Sequence, residues 1–179
     1  EFKNVIMLLL TAHIQDRARG DESREYQLII DEAERLLSGE SGKLARDFVV
    51  TCYRTWRKFR SAILCLSQNY LDFMADPELK DSLMPNTNNL IILRQRKIDW
   101  AQFKQTFDLN DQQVTAIKSL EVVKGSHSDF YLMQGENQAL LRLTPEPLSY
   151  WLCTSDAGDK TKISQLKAQY PKMKELEIL

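Results

Sequence analysis

The chain has 179 residues, 43% of them hydrophobic and 27% charged, the profile of one ordinary globular domain or a domain with an appendage. Its 24 Lys and Arg against 25 Asp and Glu exclude a strongly basic protein but leave room for a local basic face. Few glycines (6) and prolines (5) argue against collagen-like or long disordered segments, and no apolar run approaches the ~20 residues of a membrane span.

Residues 3–18 read as a core helix, with Val5, Leu8, Leu9 and Ala12 at helical spacing and Gly20 as a stop. A polar loop over 21–25 leads into the apolar run 26–30, which ends in Asp31-Glu32. A run without polar alternation suits a strand buried on both faces of a parallel sheet. A short helix (33–37) and a Ser/Gly loop (38–42) follow. Residues 43–59 read as a helix with Leu44, Phe48, Cys52 and Phe59 near one stripe. Residues 62–66 form a second buried-type strand ending at Ser67-Gln68, then short helices are expected over 69–74 and 77–83. Residues 89–93 form a third apolar strand before Arg94-Gln95.

Two helices come next, over 99–107 and from about 110 to 122, the second with Gln113 placed for a capping box. The period then changes to two, so 130–133 and 138–143 read as a β-hairpin across Gly135-Glu136-Asn137, and 149–153 as a further strand. The tail (159–179) reads as a Lys-rich amphipathic helix pair broken at Pro171, its Lys160, Lys162, Lys167, Lys172 and Lys174 forming a solvated face. The alternation over 1–95 implies parallel βαβ units, with the hairpin extending that sheet or forming its edge.

Ligands of open α/β sheets bind at the carboxyl ends of the strands. Two adjacent acids there fit a Walker B element, in which Asp31 holds a hydrated Mg²⁺ and Glu32 orients and deprotonates a water attacking a γ-phosphate. They also fit a strand that simply exits into solvent. Gln68, at the tip of the next strand, is a group that senses a phosphate or positions water, or else a plain turn amide. Tyr53-Arg54-Thr55-Trp56-Arg57-Lys58-Phe59-Arg60 carries four bases in seven residues, with Arg54 and Arg57 at i, i+3. An arginine here can stabilise a transferring phosphoryl group, within a subunit or from a neighbour, or else cap a solvated helix end.

In order, Leu28-Ile29-Ile30-Asp31-Glu32-Ala33, Tyr53-Arg54-Thr55-Trp56-Arg57-Lys58, Leu66-Ser67-Gln68-Asn69 and Leu93-Arg94-Gln95 resemble the C-terminal ATPase domain of the TraC-type conjugation ATPases. Those belong to the VirB-type ATPases of bacterial type IV secretion systems. The likeness continues through Lys124-Gly125-Ser126 and Arg142-Leu143, and covers about residues 4–161. It implies an α/β fold: a partial RecA-like P-loop NTPase core, a parallel sheet flanked by helices, over 1–98. A C-terminal antiparallel β-hairpin and helical tail of the same domain follow over 99–179. It implies ATP and Mg²⁺ as cofactors, a homo-hexamer, and a cytoplasmic, peripheral place at the inner membrane beside other secretion-channel components, with direct DNA binding left open. It makes Asp31 and Glu32 the Walker B pair, Gln68 the motif C glutamine, Arg57 the arginine finger with Arg54 as neighbouring candidate, and puts Arg94 and Gln95 in a later motif at the nucleotide.

One departure is plain: no GxxxxGK[ST] occurs in these residues. The chain therefore reads as a piece of a longer protein whose phosphate loop lies upstream of Glu1, inactive alone and with apolar faces left uncovered. Two other readings stand beside the motor: a non-catalytic interaction module of a secretion machine, and a nucleic-acid-binding domain using the cluster from Arg54 to Arg60.

The remaining chemistry is sparse. Cys52, Cys65 and Cys153 are odd in number and widely spaced, which suits reduced thiols rather than a zinc site or disulfide framework. His13 and His127 read as structural or surface groups. Ser126-His127-Ser128-Asp129 are consecutive and cannot adopt triad geometry. Trp100, Phe103 and Phe107 read as core.

Overall fold

A computed structural model of the chain describes residues 2–20, 23–37, 42–71 and 77–171. The expected loop residues 21–22 and 38–41, most of the helix expected at 69–74, and the tail beyond 171 lie outside these. The chain forms two compact units, Glu1–Asn88 and Asn89–Leu179. The fold is mixed α/β, with a parallel strand pair in the first unit and an antiparallel sheet in the second.

The first unit runs α1 (Phe2–Gly20), β1 (Tyr26–Ile30), α2 (Ala33–Leu37), α3 (Lys43–Thr55), a 3-10 turn (Trp56–Phe59), β2 (Ser61–Cys65) and α4 (Pro77–Asn86). β1 and β2 pair in parallel, from Tyr26 opposite Ser61 to Ile30 opposite Cys65. One face of the pair packs on a core of Ala18, Val49, Cys52, Trp56 and Leu79 with their neighbours, each almost fully buried. Phe48 meets Trp56 edge to face at 6.2 Å. Gly42 is required where α2 turns into α3, because a Cβ there would lie 2.6 Å from the Leu37 carbonyl oxygen.

Two expectations are corrected in this unit. β1 alternates between half-buried and exposed rather than being buried on both faces, and Ile29 is 58% exposed. α1 is not a core helix along its length: Ile14 and Ala18 join the core, whereas Val5 and Leu9 are exposed. The apolar pattern is real in both places, but within this chain only one face finds a partner.

The second unit runs β3 (Asn89–Leu93), α5 (Trp100–Thr106), α6 (Asp111–Lys118), β4 (Val122–Val123), β5 (His127–Gln134), β6 (Asn137–Leu143), α7 (Pro147–Cys153) and α8 (Ala157–Gln169). Here the third strand departs from expectation. β3 does not extend a parallel array; it pairs antiparallel with β5, Leu93 opposite Phe130. An apolar strand states that it wants burial, not which strand it joins. The hairpin β5–β6 forms as expected, with Gly135 at φ +57 in its turn.

The residues 149–153 are helical, not a strand. Pro147 opens α7 and the Glu146 carboxylate caps it by accepting from the Ser149 amide at 2.9 Å. Those start signals outweigh the aromatic, strand-like composition of Tyr150 and Trp151. α8 ends at Gln169, and Asp156 caps it by accepting from the amides of Gly158 and Asp159. The α6 capping box is present as expected: Asn110 accepts from the Gln113 amide at 2.9 Å and the Gln113 side chain accepts from the Asn110 amide. Phe103 and Phe107 are core, 4.8 Å apart, while Trp100 is half-buried beneath Lys118.

Ion pairs lock the second unit. Asp129 is buried and takes a bidentate grip from Arg142, Nε at 2.7 Å and Nη2 at 3.0 Å, which holds its carboxyl below the usual range. Asp159 is buried and accepts from the Tyr150 hydroxyl at 2.7 Å and from Thr154 at 3.1 Å, so its carboxyl is also depressed. Lys124 spans to Asp156 at 2.7 Å and ties the turn before β5 to α8.

Replacing Asn110 with Ala removes the cap and should lower the unfolding free energy by about 1 kcal/mol in urea denaturation. The depressed acids give a pH sign. Their stabilisation is complete above the ordinary aspartate value of 3.8 and is lost as pH falls below it, so α7 and α8 should lose circular dichroism and protease resistance in that range. Burial pushes the Cys52 thiol up to about 12 and Cys65 up to about 11, while Cys153 is exposed. Native thiol labelling should therefore mark Cys153 alone; rapid double or triple labelling would contradict this packing.

Candidate functional site

The parallel pairing decides which of the expected residues meet. The ladder closes beyond the strand ends: the Leu66 amide donates to the Ile30 carbonyl at 2.9 Å, and the Ala33 amide donates to the Leu66 carbonyl at 2.9 Å. Asp31-Glu32 on one strand and Ser67-Gln68 on the other thus emerge side by side at the carboxyl end. That is the edge at which α/β sheets present their ligand groups.

Each side chain there has a defined local state. Asp31 is exposed, and its Oδ1 accepts from the Glu32 amide at 2.9 Å. Glu32 sits in the left-handed region at φ 49, which glutamate adopts reluctantly. This kink turns the chain from β1 into α2 and lifts the Glu32 carboxylate off the strand line. The carboxylate pairs with Arg35 at 2.8 Å; the Arg35 side chain is exposed and Glu32 is half-buried. The sequence reasoning missed Arg35; its i, i+3 spacing from Glu32 was the available signal.

Gln68 is exposed and forms no hydrogen bond among the described residues. The residues around it are fixed instead. The Ser67 hydroxyl donates to the Asn69 carbonyl at 2.9 Å, and the Asn69 side chain accepts from the Leu71 amide at 3.1 Å. This pair of local turns braces the backbone on both sides of a free amide.

The arginines are elsewhere. The 3-10 turn carrying Arg57 runs directly into Ser61, the amino end of β2. Arg60 at that same end donates to Glu25, the residue before β1, at 2.7 Å. Arg57 is therefore separated from Glu32 and Gln68 by the length of the strand, about 13 Å for four steps. Of the two placements open for the arginine, within a subunit or from a neighbour, this topology does not bring Arg57 to the edge of Glu32 and Gln68 within one protomer. Arg54 and Arg57 do not share a regular helix face either, since the α-helix gives way to the 3-10 turn between them. Arg54 Nη2 donates to the buried Ser82 hydroxyl of α4 at 2.6 Å, a partner the sequence did not reveal. Arg57 is exposed, with no ion pair or hydrogen bond among the described residues.

Arg94 and Gln95 follow β3 in the second unit, where the Gln95 side chain donates to the Leu93 carbonyl at 3.0 Å. The second unit holds no group of three or more metal-ligating side chains, nor does the first, among the described residues. His127 is half-buried, with Nδ1 3.0 Å from the Ser126 hydroxyl and Nε2 buried without a hydrogen-bond partner. Among the described residues no helix is long and apolar enough to cross a membrane.

Comparison with known proteins shows the family and the fold. The family model described as the TraG P-loop domain matches residues 2–178, and the chain belongs to that family. It is 28% identical over 172 residues to Protein TraC of Escherichia coli (strain K12), a match covering 92% of this chain and 19% of that protein. The solved structure of VirB4 of Thermoanaerobacter pseudethanolicus shares the fold, with a TM-score of 0.61 and 19% identity, over 83% of this chain and 38% of that one. The chain thus spans a fifth to two-fifths of these relatives, and its likeness to the TraC- and VirB-type ATPases is borne out.

The strained Glu32 gives a direct prediction. Glu32→Gly should raise the unfolding free energy by roughly 0.5–1 kcal/mol in chemical denaturation, because glycine accepts positive φ freely. Glu32→Gln should leave stability within about 0.5 kcal/mol, since a surface pair to Arg35 contributes little.

Proposed function

We propose that this chain is the C-terminal part of a hexameric ATPase that powers bacterial conjugation or type IV secretion, through pilus assembly or substrate transfer. One observation carries the reading: the parallel register that sends Asp31-Glu32 and Gln68 out of the same sheet edge.

The donor set fits Mg²⁺ with ATP. Mg²⁺ keeps several waters and takes one or two carboxylates beside phosphate, and Asp31 and Glu32 at an open sheet edge could supply them. Bound there, Mg²⁺ would supply charge neutralisation on the triphosphate. Asp31 would hold it with the carboxylate oxygen that the Glu32 amide leaves free. Glu32 accepts the proton of the attacking water, after giving up a surface ion pair to Arg35 that costs little to break. Gln68 fixes the water's orientation through its unengaged amide. Arg94 and Gln95 are assigned to the nucleotide on the family likeness alone.

Arg57, at the far end of the strands, serves a neighbouring copy's triphosphate. Its guanidinium is exposed and unpaired among the described residues, as a group reserved for another subunit has to be. Arg54 remains the neighbouring candidate, though it must first release Ser82. The partners are further copies of the protein and other secretion-channel components, at a cytoplasmic, peripheral position on the inner membrane.

A non-catalytic role suits the isolated chain, which carries no GxxxxGK[ST]. The nucleic-acid reading is weakened, because Arg54 and Arg60 are engaged by Ser82 and Glu25. This chain alone should show no ATP turnover above background in a phosphate-release assay; turnover abolished by Glu32→Gln would contradict the missing phosphate loop. In a longer polypeptide carrying that loop, Glu32→Gln should cut kcat by about 100-fold or more while ATP binding persists. Arg57→Ala should cut it similarly, and mixing the two variants should restore part of the activity. No recovery on mixing would contradict action between copies.

A further inference from the structure

A helix ordinarily docks through an apolar stripe. The pair α7 and α8 does not. Within these two helices the one buried side chain is a carboxylate, that of Asp159, 4% exposed. Leu148, Leu152 and Leu166 are exposed, and Trp151 and Ile163 are only half-buried.

The contacts of the buried group converge on one oxygen. Asp159 Oδ2 accepts from the Tyr150 hydroxyl of α7 at 2.7 Å and from the Thr154 hydroxyl in the link between the helices at 3.1 Å. Lys124 Nζ, from the turn between β4 and β5, lies 3.7 Å from the same oxygen. Lys124 also pairs at 2.7 Å with Asp156 Oδ1, the atom that caps α8 by accepting from the Gly158 and Asp159 amides. One lysine thus meets both acids at the start of α8. The turn is shaped to receive α7 as well. Gly125 takes φ +73, and a Cβ there would lie 3.8 Å from the Tyr150 hydroxyl oxygen. The Ser126 amide closes the turn by donating to the Val123 carbonyl at 3.0 Å. Lys124-Gly125-Ser126, which has no place at the sheet edge of Glu32 and Gln68, thereby acquires a task.

A carboxylate is costly to take out of water unless its donors are all in place. Tyr150 brings α7 to it, Thr154 the link, and Lys124 the sheet's turn, so withdrawing one donor weakens the hold on every piece. We propose that α7 and α8 form a strap that leaves the β4–β5 turn as one body while the sheet stays folded, with Lys124 and Asp159 as its latch. Opening returns a carboxylate and little apolar surface to water, which places it well below global unfolding in free energy. The β5–β6 ladder, paired from Ser128 with Leu143 to Gln134 with Asn137, holds meanwhile. This strap needs no nucleotide and stands apart from the proposed ATPase activity.

Hydrogen exchange of the 179-residue chain at neutral pH tests the latch. The amides of α7 and α8 should exchange through a common opening, about 100-fold or more faster than those of β5. Lys124→Ala and Tyr150→Phe should each speed both helices together by about 10-fold, leaving β5 and β6 unchanged, and Lys124→Arg should keep the unsubstituted rates. Helices that open only when β5 does would overturn the proposal. So would a Lys124→Ala effect confined to α8, or one spread evenly over the sheet. Where a variant fails to fold, exchange of the unsubstituted chain in low urea decides: the two helices should share one denaturant dependence, distinct from that of β5, and separate dependences would contradict a single strap.

Discussion

The parallel pairing of β1 with β2 is the constraint on which the candidate site depends. Its register, Ile30 opposite Cys65, and the two hydrogen bonds that extend it to Leu66 and Ala33 fix where each strand ends. Because the strands run the same way, whatever follows each is delivered to one edge, and whatever precedes each is delivered to the other. Asp31-Glu32 and Ser67-Gln68 follow; Glu25 and the Arg57 turn precede. One residue of slip would turn the apolar set of each strand to the wrong face, so burial of Leu28, Ile30, Ile63 and Cys65 against the core enforces the geometry. Function at the edge and packing under the sheet are thus one fact.

The same rule separates what the sequence made legible from what it did not. The two strands and their tips were readable, since short apolar runs ending in polar groups are a strong local signal. The place of Arg57 was readable too, had the connection been followed: a crossover entering a parallel strand arrives at its amino end, so residues just before it cannot share a site with those just after it. Order along the chain left the arginine's place within or between subunits open, and topology separates it from the acid and amide tips within one protomer. β3 illustrates a different limit. Its apolar residues specify burial, and only the hairpin 127–143 decides that its partner is β5. At 149–153 the aromatic composition misled, while Glu146 and Pro147, a cap and a first-turn proline, carried the correct signal.

Expected burial and observed exposure differ in a consistent way. Val5, Leu9, Ile29, Ile91, Leu93 and Leu143 belong to apolar patterns that the sequence marks as core, yet they face solvent. Their hydrophobic pattern is not an error of reading. Each lies on the second face of an element whose first face is packed, and the chain covers at most two-fifths of its relatives. The energetics agree: parallel pairs are seldom stable with a bare face, and a two-stranded sheet supplies little on its own. The strained Glu32 fits the same picture from the other side, since backbone strain is tolerated where the neighbouring strand and α2 hold the turn in place.

If Glu32 and Gln68 act on one water, their contributions to turnover are not independent. The most direct test is a double-mutant cycle in a polypeptide that also carries a phosphate loop, comparing kcat for Glu32→Gln, Gln68→Ala and the pair. The account predicts that the second substitution adds little once the first is made, with a coupling of about 1–3 kcal/mol. Losses that simply add would mean two separate sites of action, and would contradict a shared edge.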